Sequence, residues 1–180
     1  VASADRAIEP STAVDLLREA STIYAEQLMD AAKSAEVLRT AVTIEPTDND
    51  LLREFINRLC DTGEHAAAVE ELTKALDWRP LSRDEQVEFL RRRAELRMMV
   101  ADEARAASDL EEAYGLVGAE LIPDLIDGLE RWRSAADRRG DRDGERTATL
   151  RLVDILRKEG ADEQARHALS GWVERAPGDT

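Results

Sequence analysis

The sequence repeats itself at a spacing of 34 residues: Pro46 and Pro80, Ala41 and Ala75, Leu38 and Leu72, and Ser34 and Ala68 each fall one period apart. A fixed period of this length marks a chain built from stacked supersecondary units, none of which buries its apolar face alone. The units read as helical. Hydrophobic residues make up 43% of the chain but aromatics only 4%. Ala, Leu, Arg and Glu dominate, all good helix formers, and the β-branched and aromatic residues that strands favour are sparse. The nine glycines and five prolines cluster at a few places, as short turns between long helices require. Over 64–78, Ala68, Val69, Leu72, Ala75 and Leu76 recur at three- and four-residue spacing and form one apolar stripe, with Glu64, Glu70, Glu71, Lys74 and Asp77 off it.

Within 49–82, a first helix supplies Leu52, Phe55 and Leu59, a turn follows at Asp61, Thr62 and Gly63, a second helix supplies Ala68, Leu72 and Ala75, and Pro80 closes the unit. This pattern resembles the tetratricopeptide repeat. Ile56 stands where that family prefers a small residue at the helix crossing, so this pair is expected to sit slightly further apart. Residues 15–48 repeat the pattern with Ser34, Leu38, Ala41 and Pro46, with Tyr24 one position off the family's aromatic. Residues 146–179 repeat it with Leu152, Leu156, Gly160, Ala165, Leu169 and Pro177, where Trp172 replaces a small residue and Val153 takes the crossing position. A looser unit near 87–118 has Leu90, Ala94, Ala106, Leu110 and Ala113, after an insertion around 81–85. The resemblance implies an all-α fold: a right-handed α-solenoid of antiparallel helix pairs, with about nine helices.

Periodicity and turn signals place those helices over about 11–29, 31–45, 49–62, 64–78, 83–99, 101–116, 123–139, 143–159 and 161–175. Ser82, Arg83, Asp84 and Glu85 read as a capping box, and Asp48 as an N-cap. Pro123 suits a first helical turn, and Pro80 lies just beyond a helix end. Grouped by resemblance, 1–116 form three helix pairs, 117–144 an irregular repeat or bend with one long helix, and 145–180 a further pair cut at a repeat boundary. The closing Pro177, Gly178, Asp179 and Thr180 parallel Pro46, Thr47, Asp48 and Asn49, where a next repeat would begin. The chain therefore reads as a piece of a longer repeat-containing protein of bacterial type.

Charge narrows the function. With 39 acidic against 25 basic residues the net charge is −14, a field that repels phosphate backbones and disfavours nucleic acid as partner. No stretch approaches the roughly 18 apolar residues of a membrane span, so neither membrane insertion nor anything but a soluble, cytoplasmic setting is expected. The single cysteine, Cys60, sits in an apolar helical pattern and reads as a buried small hydrophobe. His65 and His167 have no metal-ligand spacing and read as solvated. Nucleophile-elbow, Walker and dinucleotide motifs are absent from the sequence. These readings point away from an enzyme and call for no catalytic residue, metal or cofactor.

The expected activity is therefore interaction with another protein or peptide. In the resembled family the first helix of each repeat lines a concave groove, which would place Asp50, Arg53, Asn57 and Asp61 on one such face. Arg53 and Asn57 also have the one-turn spacing with which some members grip a terminal carboxylate, although Arg92 stands where the next repeat should add Asn. The run Arg91, Arg92 and Arg93, with Arg97, offers a basic patch for an acidic segment, in which Arg91 and Glu95 are placed to pair. Met98 and Met99 add adaptable apolar surface, with core packing favoured for at least one of them. Trp132 between Arg131 and Arg133 has hot-spot composition, balanced evenly against a core position. Two roles follow: a peptide- or helix-binding scaffold, as a monomer or weakly self-associating dimer, or a regulatory arm of a multidomain enzyme or signalling protein.

Overall fold

A computed structural model describes residues 9–175; Pro177 and the closing tetrapeptide lie outside them. Among the described residues there are nine α-helices and no strand: α1 (Pro10–Thr22), α2 (Ala31–Ile44), α3 (Asn49–Asp61), α4 (His65–Trp78), α5 (Arg83–Met99), α6 (Glu103–Val117), α7 (Ile122–Arg139), α8 (Arg142–Lys158) and α9 (Asp162–Arg175). They form two compact units, one ending at Pro80 and the other beginning at Leu81.

Most boundaries have a local chemical cause. Asp48 caps α3 by accepting from the Leu51 N–H at 2.9 Å. At α5 the Ser82 hydroxyl and the Glu85 carboxylate satisfy each other's backbone N–H, a complete capping box. Gly140, left-handed at φ 69°, ends α7, a conformation that costs glycine little. The first helix departs from expectation. Instead of running to residue 29, α1 ends at Thr22 and widens into a π-helical turn over Ile23–Gln27, with Met29 at φ 53°. Asp30 caps α2 through the Lys33 N–H at 2.9 Å, and its own N–H donates to the Tyr24 carbonyl at 2.8 Å.

In the first unit α1 packs on α2, α2 on α3 and α3 on α4. The positions matched by the period fall inside: Ser34, Leu38, Ala41, Ala68, Leu72 and Ala75 are all 2% exposed or less. Ser21 and Ser34 share a buried hydroxyl–hydroxyl hydrogen bond of 2.7 Å across α1 and α2. The α3–α4 contact is the sparsest between successive α-helices within this unit, and Ile56 of α3 is buried. Cys60, expected inside, is only half-buried.

In the second unit each helix from α5 to α9 packs on the next. The long helix α7, which the repeat pattern left without a partner, packs against both α6 and α8. The helices alternate between two layers. On one side Arg151 of α8 reaches Glu111 of α6 at 3.0 Å, and Tyr114 of α6 donates to Glu159, just past the end of α8, at 3.0 Å. On the other side α5, α7 and α9 stand in a row with grooves between them.

Candidate functional site

The first groove runs between α5 and α7 with α6 beneath. Its lining comprises Arg91, Ala94, Glu95, Met98 and Met99 from α5, Leu110 from α6, and Asp124, Asp127, Gly128 and Arg131 from α7, around a volume of about 390 Å³. The floor is apolar. Gly128 sits mid-helix, where glycine is disfavoured by about 1 kcal/mol relative to alanine. Its reason is close packing: a Cβ there would lie 2.6 Å from Leu110 Cδ1 and 3.5 Å from Met98 Cε. Met98 packs against the core while Met99 is 61% exposed at the mouth.

The rim is a set of ion pairs. Arg91 reaches across to Asp124 at 2.8 Å, Arg92 takes Glu95 at 2.9 Å, and Arg131 takes Asp127 at 2.7 Å. The sequence pairing of Arg91 with Glu95 is thus corrected, because a cross-helix carboxylate lies within reach of Arg91 and Glu95 is held by Arg92. The basic patch is corrected too. Arg93 faces inward and grips Asp109 with two hydrogen bonds of 3.1 and 2.6 Å, and Arg97 holds the same carboxylate at 2.6 Å. Guanidiniums turned inward in this way, 10% and 13% exposed, contribute little to a surface patch. Sequence reasoning missed this cluster, although Phe89, Arg93 and Arg97 share the inward four-residue spacing.

Trp132 is a core residue, 7% exposed, with the Arg151 guanidinium 5.3 Å above its ring. That position removes it from the exposed surface where a hot spot would act; Arg131 and Arg133 on either side do face the grooves. In the first unit Asp50, Arg53, Asn57 and Asp61 lie along α3, with Asp50, Asn57 and Asp61 exposed. Arg53 pairs with Asp50 at 2.7 Å, and Asp61 with Arg58 at 3.0 Å. Arg53 and Asn57 do lie one turn apart on this face; Arg92 belongs to the other unit.

A second groove separates α7 from α9, with Leu152 and Leu156 of α8 in its floor and a volume of about 390 Å³. Sequence reasoning did not find it, because its residues come from three helices whose mutual placement no motif encodes. His167 stands exposed on its rim, whereas His65 is half-buried at the start of α4 with its Nδ1 shielded. Among the described residues no three His, Cys, Asp or Glu side chains are grouped to hold a metal ion, and no helix is long and apolar enough to cross a membrane.

Compared by sequence, the chain matches no protein-family model and no curated protein. Solved structures do match its fold. MamA from Desulfovibrio magneticus is 18% identical with a TM-score of 0.51, over 93% of this chain and 98% of that one. A tetratricopeptide repeat protein from Parabacteroides merdae is 18% identical with a TM-score of 0.52, over 93% of this chain and 68% of that one. This chain has the tetratricopeptide-repeat fold. The alternation of α5, α7 and α9 against α6 and α8 is how such repeats stack, and it places the grooves of the second unit between successive helices of one layer.

Proposed function

We propose that this tetratricopeptide-repeat chain is a non-catalytic scaffold that binds another protein, as a peptide or a helix, on the layer of α5, α7 and α9 in its second unit and on the exposed α3 face of its first. The observation that carries this reading is the α5–α7 groove: an open apolar floor of Met98, Leu110 and Gly128, ringed by oriented charges. A partner's apolar side chain gains burial there while the rim fixes its register. Arg91, Arg92 and Glu95 act as that rim, and Asp50, Arg53 and Asn57 as polar contacts on α3. No cofactor enters this role.

Affinity capture from a lysate of the source organism tests it, with the native chain and the Arg53→Glu and Arg91→Glu variants as baits. A partner held by the native bait and lost by a variant supports the reading and identifies which face is used. Identical capture by all three removes both faces, and capture of nothing by any bait removes the scaffold role.

A further inference from the structure

Helix α1 has two faces. Val14 and Ser21 are buried and Leu17 and Arg18 half-buried, whereas Thr12, Asp15, Leu16, Glu19, Thr22 and Ile23 are all exposed. The exposed residues recur at three- and four-residue spacing, so they form one stripe opposite the buried pair. Along that stripe Leu16, Glu19 and Ile23 alternate apolar and acidic, and Glu26 follows, exposed, in the π-helical turn. Such turns are frequent at functional sites. Leu16 and Ile23, with Leu28 and Met29 at the end of the turn, are each 38% exposed or more. The charge on this face has one sign. Among the described residues Asp15, Glu19 and Glu26 make no ion pair, and Arg18, the base nearest to Asp15 and Glu19 in sequence, is turned to Asp48 and Glu54 at 3.2 and 3.3 Å. Every other Lys and Arg described in this unit is held by a carboxylate, a carbonyl or an aromatic ring. Large exposed apolar side chains therefore stand beside carboxylates that no described base of their own unit engages.

We propose that the outward face of α1 docks a cationic amphipathic helix of another protein, one whose apolar and basic residues alternate at three- and four-residue spacing along one face. Its apolar side chains cover Leu16 and Ile23, and its Lys or Arg side chains reach Asp15, Glu19 and Glu26. Spacing selects a helix: a stripe with this recurrence is complemented along its length by another helix, whose side chains recur at the same rise. Helix on helix is also how α1 meets α2. Charge complementarity selects the sign. A second copy of this chain, with its net charge of −14, and an anionic lipid surface are both repelled. An uncharged apolar helix would cover Leu16 and Ile23 only by desolvating carboxylates without giving them a partner. The assignment rests on the scaffold reading and adds to it a further face and a partner class, since α1 lines neither groove of the second unit.

The test is fluorescence titration of the full chain with three labelled, alanine-based helical peptides of equal length. One carries the pattern Leu-x-x-Lys-x-x-x-Leu-x-x-Lys, one replaces each Lys with Glu, and one replaces each Leu with Ala. The Leu/Lys peptide should bind tightest, by on the order of tenfold over either relative, which is what one or two exposed charge contacts supply. Asp15→Lys/Glu19→Lys, at two exposed positions, should transfer the preference to the Leu/Glu peptide. Leu16→Ser, which alters only the apolar half of the face, should weaken the Leu/Lys peptide several-fold. Glu112→Lys/Glu120→Lys, the same change of charge at exposed positions of the second unit, should leave the preference in place. Equal binding of all three peptides, no binding of any, or an equal response to the two double variants overturns the assignment. Self-association in sedimentation that Leu16→Ser abolishes overturns it in favour of a second copy as the occupant. Partner capture that survives Asp15→Lys/Glu19→Lys but fails with Arg91→Glu would sink this face while leaving the scaffold role standing.

Discussion

Asp109 is the shared anion of a buried ion-pair cluster in the second unit. Its side chain is 3% exposed and is shared by two guanidiniums that are themselves 10% and 13% exposed. Removing the shared carboxylate takes from two buried cations the anion between them, so Asp109→Ala should cost about 3–5 kcal/mol in urea denaturation. Replacing the cluster together, as Arg93→Met/Asp109→Leu/Arg97→Met, should come out near neutral, because three desolvated charges disappear at once. A cost for Asp109→Ala as small as that of an exposed pair such as Lys74–Glu71 would mean that the cluster is hydrated. Glu111 poses the opposite problem. Burial pushes its carboxyl above the ordinary carboxylate value, and the nearby Arg151 only partly offsets that. A carboxyl raised in the folded state binds protons there more readily than in the unfolded chain, so stability falls as pH rises from its ordinary value through the raised one. Glu111→Gln removes that titration. The variant should therefore gain on the native protein between a pH below the ordinary carboxylate value and neutrality, and parallel stability curves would show that Glu111 is fully solvated.

At the scale of elements, caps decide where helices begin. Ser82→Ala removes one half of the α5 capping box and should cost about 0.5–2 kcal/mol, read from the denaturation midpoint. A smaller effect would show that Glu85 alone holds the turn. The box was legible in the sequence because its chemistry is local: Ser82 and Glu85 need only each other. The same holds for Asp48 before α3, and for the core positions of α2 and α4, where Leu38, Leu72, Ala41 and Ala75 obey the helix period that the fold uses. What could not be read depended on partners distant in the chain. Arg93 belongs to a run of three arginines, and only the approach of α6 supplies Asp109 to bury it. Arg91 chooses Asp124 over the nearer-in-sequence Glu95 because α7 stands beside α5. Trp132 divided evenly between surface and core until Leu152 and its neighbours closed over it. The π-helical turn after α1 had no sequence signal.

At the scale of the molecule, the 34-residue period tells which residues are interior but not which helices share a layer. Layering comes from stacking, and stacking sets how firmly each helix is held. Among the described residues of the second unit α6, α7 and α8 each pack closely on a helix before and a helix after, whereas α9 packs closely on α8. In arrays of this kind stability is a sum of each element's own preference and its contacts with nearest neighbours. A helix with one neighbour in its unit opens locally at lower free energy than a helix with two. Hydrogen exchange followed by mass spectrometry should therefore find the slowest amides of this unit in α6, α7 and α8, with α9 exchanging faster although its helix is comparable in length to α6. The α7–α9 groove would then have one firm wall and one yielding wall. Protection of α9 equal to that of α7 in the free chain would mean that this outer helix owes its stability to something other than the stack.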